Sequence, residues 1–335
     1  MPLLNWLWPI SSGACDASAR IAIKKTDAHG LVLNGIGLLI GFPVFLVWLW
    51  IVGMPEIKPQ FWNAVIWHVP MYVAILICTV EAHRAGTMLK TMPFASLTPV
   101  FLLITSPMMG GGNPTFWGAI GIAITVVGLY SLNIERGQKN IFVPLKLIFT
   151  ERAAQFMFGA TLIAALSANR DKTAILNSSP AFYLLIDHTA VAFILIALIF
   201  LRLAISGQLT YKNSRSEIVT VGYSDVKKQI FSLKEYNAFV WYGLFNVFTG
   251  LFHSIGLTFL PHVPYFITGK RVGAIIFALI FGLSMWYWER VGNIDPSKRR
   301  FSREADNLSW RLAGTFLVVV GMSIVILYGK AESAL

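Results

Sequence analysis

Long apolar stretches alternate with short polar ones along this chain, and the apolar stretches set its architecture. Ten runs stand out: 3–23, 31–53, 61–82, 91–109, 115–134, 153–171, 180–205, 237–259, 264–288 and 310–329. Each is near the ~20 residues that a helix needs to cross ~30 Å of hydrocarbon. In such a medium each backbone amide must be paired within its own segment, so helices are the default. The runs are too continuously apolar for barrel strands, which alternate over ~10 residues. The pattern predicts an all-α integral membrane fold with ten transmembrane helices.

Composition agrees. Hydrophobic residues make up 56% of the chain, charged residues 13%, and mean hydropathy is +0.65. A soluble domain has roughly 25% charged residues, so few polar groups would remain here to cover a soluble core. The net charge of +11 lies between apolar runs, where membrane orientation predicts it, and argues against nucleic acid as a partner. Cys15 and Cys78 fall in apolar segments with no CxxC or His/Cys cluster and read as buried thiols. The first apolar run carries Asp16 and Arg20 and lacks a basic leader, so it reads as mature structure.

An internal repeat organises the runs. Trp8–Trp50 slides onto Ala160–Phe200, bringing Arg20-Ile-Ala-Ile onto Lys172-Thr-Ala-Ile. FWGAIGIAITVVGL (Phe116–Leu129) falls on SWRLAGTFLVVVGM (Ser309–Met322), pairing Gly121 with Gly314 and Gly128 with Gly321. Gly-rich apolar helices align easily, but matches near the head and tail of each half, in one order, favour duplication. The predicted units are 1–150 and 151–335, the second with a longer basic loop at 206–237. Five spans per unit require the second to be inverted, an arrangement typical of secondary transporters.

Two five-helix halves each ending in a Gly-rich span, and first helices finishing on Arg20 and Lys172, resemble the EamA-type drug/metabolite transporter superfamily. The apolar ninth run ending at Glu289 fits the same pattern. One departure is GGGNPT (Gly110–Thr115), where the family often has a Gly-Glu pair. The resemblance implies a carrier with both termini in the cytoplasm. Charge reads the other way: 20 of the 27 Lys and Arg residues follow odd-numbered runs, which puts both termini outside. Within the 206–237 loop, Ser224–Asn237 mixes Val226, Ile230 and Phe231 with Lys227 and Lys228, and fits an interfacial helix or a solvated loop equally well.

A charge at the bilayer centre costs at least ~2.5–3.5 kcal/mol, so intramembrane charges are candidates for function. Lys270 and Arg271 follow Pro261 and His262 by about nine residues, roughly 10–14 Å of helix rise. No acid occurs in the eighth or ninth run before Glu289, so a carboxylate or phosphate held by the pair would supply the missing counter-charge. The anion-carrying branch of the resembled superfamily has a Lys-Arg pair in this helix. Asp16 and Arg20, spaced i,i+4, read as a structural ion pair. Lys172 stands at the repeat position of Arg20 and either faces the solute or marks a helix end. Asp187 and His188 are candidates for a proton-coupled step. Glu81 and His253 share a repeat position and are read as proton relay and solute contact; Tyr72 and Tyr265 are the aromatics placed at the cavity.

The function expected is secondary active transport of a small anionic or zwitterionic metabolite by alternating access, around a site lined by runs 1, 3, 4, 6, 8 and 9. No GxxxxGK[ST] loop is present, which excludes direct drive by ATP. Neither cofactor nor metal is expected; the partners are the lipid bilayer and a solute, and the chain is a monomer or homodimer. The setting is a multi-pass membrane protein, in the inner membrane if bacterial. The rival reading is a membrane enzyme or flippase acting on a lipid-linked substrate. It is weakened by six scattered histidines and the lack of HxxxH or DxxD.

Overall fold

The computed structural model describes residues 3–85, 94–132, 148–212, 217–231, 233–292 and 308–329. Each apolar run contains a helix. The first half holds α1 (Leu7–Lys25, entered through a 3-10 turn at Leu3–Trp6), α2 (Gly30–Val52), α3 (Pro59–Ala85), α4 (Thr98–Met109) and α5 (Phe116–Ser131). The second holds α6 (Arg152–Leu176), α7 (Pro180–Ser206), then α8 (Tyr223–Phe231), α9 (Leu233–Phe259), α10 (Val263–Val291) and α11 (Leu308–Tyr328). Among the described residues, four helices are long and apolar enough to cross a membrane: α2, α3 as far as Ala82, α7, and α9 from Tyr236.

Local chemistry sets the ends. Ser179 caps α7 by accepting from the Phe182 amide at 3.2 Å, with Pro180 at the first helical position. Thr115 caps α5 in the same way through the Gly118 amide at 3.0 Å. Glycines with positive φ, Gly110 (74°) and Gly207 (69°), end α4 and α7.

Three expectations are corrected. The fourth run was placed at 91–109, but its helix starts at Thr98, and Thr91–Pro93 lie outside the described residues. The ring of Pro99 clashes with a helical carbonyl four residues back, at Ala95, so the helix cannot extend smoothly upstream. The fold is also not purely helical. The connection after α7 holds an antiparallel hairpin, β1 (Leu209–Lys212) with β2 (Ile218–Val221), in the register Leu209↔Val221 and Tyr211↔Val219. Its β-branched, alternating sequence favours strands once Leu209, Tyr211 and Val221 have a core to enter. Finally, α9 begins at Leu233 instead of Asn237, just after the amphipathic α8. The hairpin is tied to the first half: Tyr211 donates to the Asp27 carbonyl at 2.7 Å and receives a hydrogen bond from Gln229 of α8 at 2.8 Å.

The main helix contacts join one half to the other. α1 lies on α9 and α10, α6 on α3 and α4, α2 on α7, and α5 on α11. Small residues permit the close crossings. Gly121 meets the Gly321 backbone and Gly128 meets that of Gly314. Where α1 crosses α10, Gly13 abuts the Lys270 carbonyl and Gly273 abuts Ile10.

Candidate functional site

The α1–α10 crossing brings charged groups of both signs together. One turn along α1 from Gly13, Asp16 accepts from Arg20 at 3.0 Å, the i,i+4 pair read from the sequence. Asp16 also interacts electrostatically with Lys270 and Arg271 across the crossing. Arg271 donates to Thr98 at the start of α4 at 3.1 Å, while its buried Nε makes no hydrogen bond among the described residues. The side chains of Asp16 and Arg20 keep 24% and 36% of their surface accessible, and Lys270 and Arg271 are half-buried. These four groups form the accessible wall of the site.

Behind that wall runs a chain of buried ionisable groups. The Nζ of Lys270 stands 3.4 Å from Nδ1 of His253 on α9, and the Nε2 of the same ring stands 3.2 Å from Oδ2 of Asp171 on α6. An ammonium only donates, so Nδ1 accepts and Nε2 carries the proton offered to the carboxylate. Asp171 is shared further: Tyr183 of α7 donates to its Oδ1 at 2.6 Å, and Nδ1 of His68 on α3 lies 2.6 Å from the same atom. His68 Nε2 lies 3.2 Å from Oδ1 of Asp187. His188 Nδ1 stands 3.6 Å from Asp187 Oδ2, and its ring packs edge-on against Phe45 of α2. Tyr72 is packed beside His68, with ring centroids 5.6 Å apart, and feels Asp16, Asp171 and Asp187.

This geometry gathers Asp16, Arg20, Tyr72, Asp187, His188, His253, Lys270 and Arg271 from the residues singled out in the sequence. It also supplies counter-charges for Lys270 and Arg271 from α1 and α6, which a search along their own helix and the one before it could not find. Three other residues go elsewhere. Lys172 donates to the carbonyls of Leu260, at 3.3 Å, and Pro261, at the end of α9. Tyr265 is fully buried against Gly118, and its hydroxyl accepts from the Thr115 amide at 2.9 Å. Glu81 is about 20 Å along α3 from His68. It lines a groove of about 470 Å³ with His29, Ile77, Leu198 and Arg202. The side chain of Glu289 lies outside the described residues.

His68 and Tyr183 were missed. A lone histidine among apolar residues in a third run carries no signal of its own. The one available clue was a charge problem: Asp171 and Asp187 each needed a partner on another helix. Among the described residues no group of three or more His, Cys, Asp or Glu has the arrangement to hold a metal ion.

Comparison with known proteins agrees with this architecture. Residues 5–134 match the EamA-like transporter family. That family falls within the drug/metabolite transporter superfamily, and the match covers the first five helices of this chain. The chain is a multi-pass membrane protein. A crystal structure 13% identical in sequence superposes with a TM-score of 0.65, over 97% of this chain and 98% of that one. That likeness is one of fold. No curated protein matches the sequence.

Proposed function

We propose that this protein is a secondary active carrier of a small anionic or zwitterionic solute. Two inverted five-helix units would alternate access to a site where α1, α3, α4, α6, α9 and α10 meet. The observation that carries the reading is the half-buried wall of Asp16, Arg20, Lys270 and Arg271. Charges of both signs at that depth are costly unless paired or used. Arg271 retains an unused buried donor and Lys270 has two further protons to offer, so a carboxylate or phosphate suits the pair.

The inverted repeat is supported by the glycine contacts. Sequence comparison pairs Gly121 with Gly314 and Gly128 with Gly321. In space Gly121 meets Gly321 and Gly128 meets Gly314. Equivalent helices related by a two-fold axis make this crossed pattern, in which residue i meets j and j meets i. The same relation accounts for α1 packing on α9 while its counterpart α6 packs on α3. Two interleaved, interconvertible halves are what alternating access requires, and a membrane enzyme has no such need.

The test is thermal stabilisation of the purified chain, in nanodiscs, by panels of phosphorylated, carboxylate, amino-acid and cationic compounds. The wild type, Lys270→Ala and Arg271→Ala are compared. Binding stabilises the folded state by about 2.7 kcal/mol at a hundred times the dissociation constant. The expected result is an anion or zwitterion that stabilises the wild type and neither folded variant, and that exchanges across liposomes carrying the wild type. Stabilisation of all three by the same cation would sink the reading.

A further inference from the structure

We infer that His68 is a proton-binding site and that the proton it holds ties the two halves of the carrier together. The argument rests on both ring nitrogens. Nδ1 lies 2.6 Å from Asp171 Oδ1 and Nε2 lies 3.2 Å from Asp187 Oδ1. An ionised carboxylate only accepts, and a neutral imidazole carries one N–H and one bare lone pair. A neutral ring would therefore aim a lone pair at one of the two carboxylates. The arrangement is stable as an imidazolium, with both positions protonated. Asp187 Oδ1 is buried and makes no hydrogen bond among the described residues, so it depends on a positive charge on the ring 3.2 Å away.

The groups facing His68 come from each element packed on it. They are Tyr72 on its own helix, Ser167 and Asp171 on α6, and Tyr183 and Asp187 on α7, with His188 on the far side of Asp187. Through Asp171 the site reaches His253 on α9 and Lys270 on α10, and through Tyr72 it feels Asp16 on α1. Ser167 and Tyr183 adapt to either state, because a hydroxyl both donates and accepts.

His68 belongs to the first half and its two carboxylates to the second. The side chains of His68 and Asp187 are 4% and 2% exposed, so little water can replace a lost partner. Removal of the proton leaves a buried carboxylate against a lone pair, and α3 is released from α6 or α7. Charge also links this site to the solute. Arg20, Lys270 and Arg271 contribute three positive charges, and Asp16, Asp171 and Asp187 contribute three negative ones. A proton on His68 leaves the cluster one unit positive, so one proton and a solute bearing one net negative charge favour each other's binding, reciprocally. This deepens the carrier reading and rests on it for the coupling alone.

The test is ¹⁵N-histidine NMR of the full chain in lipid nanodiscs, with His68→Gln identifying the His68 signals. Should that variant not fold, Ser167→Ala and Asp187→Asn mark the same ring through the signals they move. The expected result at pH 7 is two protonated ring nitrogens at His68, and loss of one of them in Asp187→Asn. Spin labels at Trp62 of α3 and Leu176 of α6, in a Cys15→Ser/Cys78→Ser background, should be farther apart once that proton is titrated off. A bare ring nitrogen at pH 7, or an unchanged distance on deprotonation, overturns the inference whatever the protein transports. If His68 behaves as stated but an exchanged solute moves no proton across liposomes, the site stands and the coupled-carrier reading falls.

Discussion

Gly13 of α1 rests against the backbone carbonyl of Lys270 on α10, and a methyl group at Gly13 would occupy that oxygen's place. Backbone contact is what sets Asp16 and Arg20 beside Lys270 and Arg271. Gly13→Ala should therefore destabilise by about 1–3 kcal/mol, the usual cost of overpacking. Gly159 on α6 has open space around it, so Gly159→Ala should be neutral or gain up to about 1 kcal/mol from helix propensity. Thermal unfolding of both variants checks the contrast, and equal stability would mean that α1 and α10 do not cross so closely.

Lys172 serves the turn between α9 and α10. Lys172→Met should lower stability by about 1.5–3 kcal/mol, the range for hydrogen bonds to a charged group. Stabilisation by the solute found in the ligand screen should be unchanged. The opposite pattern, unaltered melting with lost solute binding, would return Lys172 to the solute-facing role that the repeat gave it.

A similar logic covers Tyr265, whose hydroxyl holds the Thr115 amide at the start of α5. Tyr265→Phe should cost about 0.5–1.5 kcal/mol in unfolding measurements. Solute affinity should stay within twofold of the wild type; a tenfold loss would place the hydroxyl in the site.

His262, in the turn outside the membrane spans, should make stability pH-dependent. Burial, then the charge of Lys172, hold its imidazole below the ordinary histidine range, and neither ring nitrogen has a partner among the described residues. The unfolded chain takes up the proton near pH 6.5 and the folded one only at lower pH. Its contribution to stability is thus complete above about pH 6.5 and declines as pH falls through the folded value. His262→Leu should flatten that part of the profile, measured as wild type minus variant between pH 7.5 and 5. A zero difference across the range would assign the acid sensitivity to other groups.

Much of this molecule was legible in its sequence because hydrocarbon is a simple solvent. Ten apolar runs of bilayer length determined the membrane class, and the cost of buried charge picked out Lys270, Arg271, Asp16 and Asp187. The Asp16–Arg20 pair was readable because its geometry belongs to one helix. What lay between helices was not. Arg20 and Lys172 align when the two halves of the sequence are compared, yet one pairs with an aspartate in its own helix and the other caps the end of α9. Glu81 and His253 align in the same way, but His253 bridges Lys270 to Asp171 while Glu81 lines a separate groove with His29 and Arg202. The role of His68 depends on α3 meeting α6 and α7 about a hundred residues later in the chain. Apolar periodicity shows that a helix is buried in lipid or protein. It does not show which neighbour it meets or at what height. Those were decided by glycine crossings and helix lengths acting together, and they alone determine which buried charges become partners.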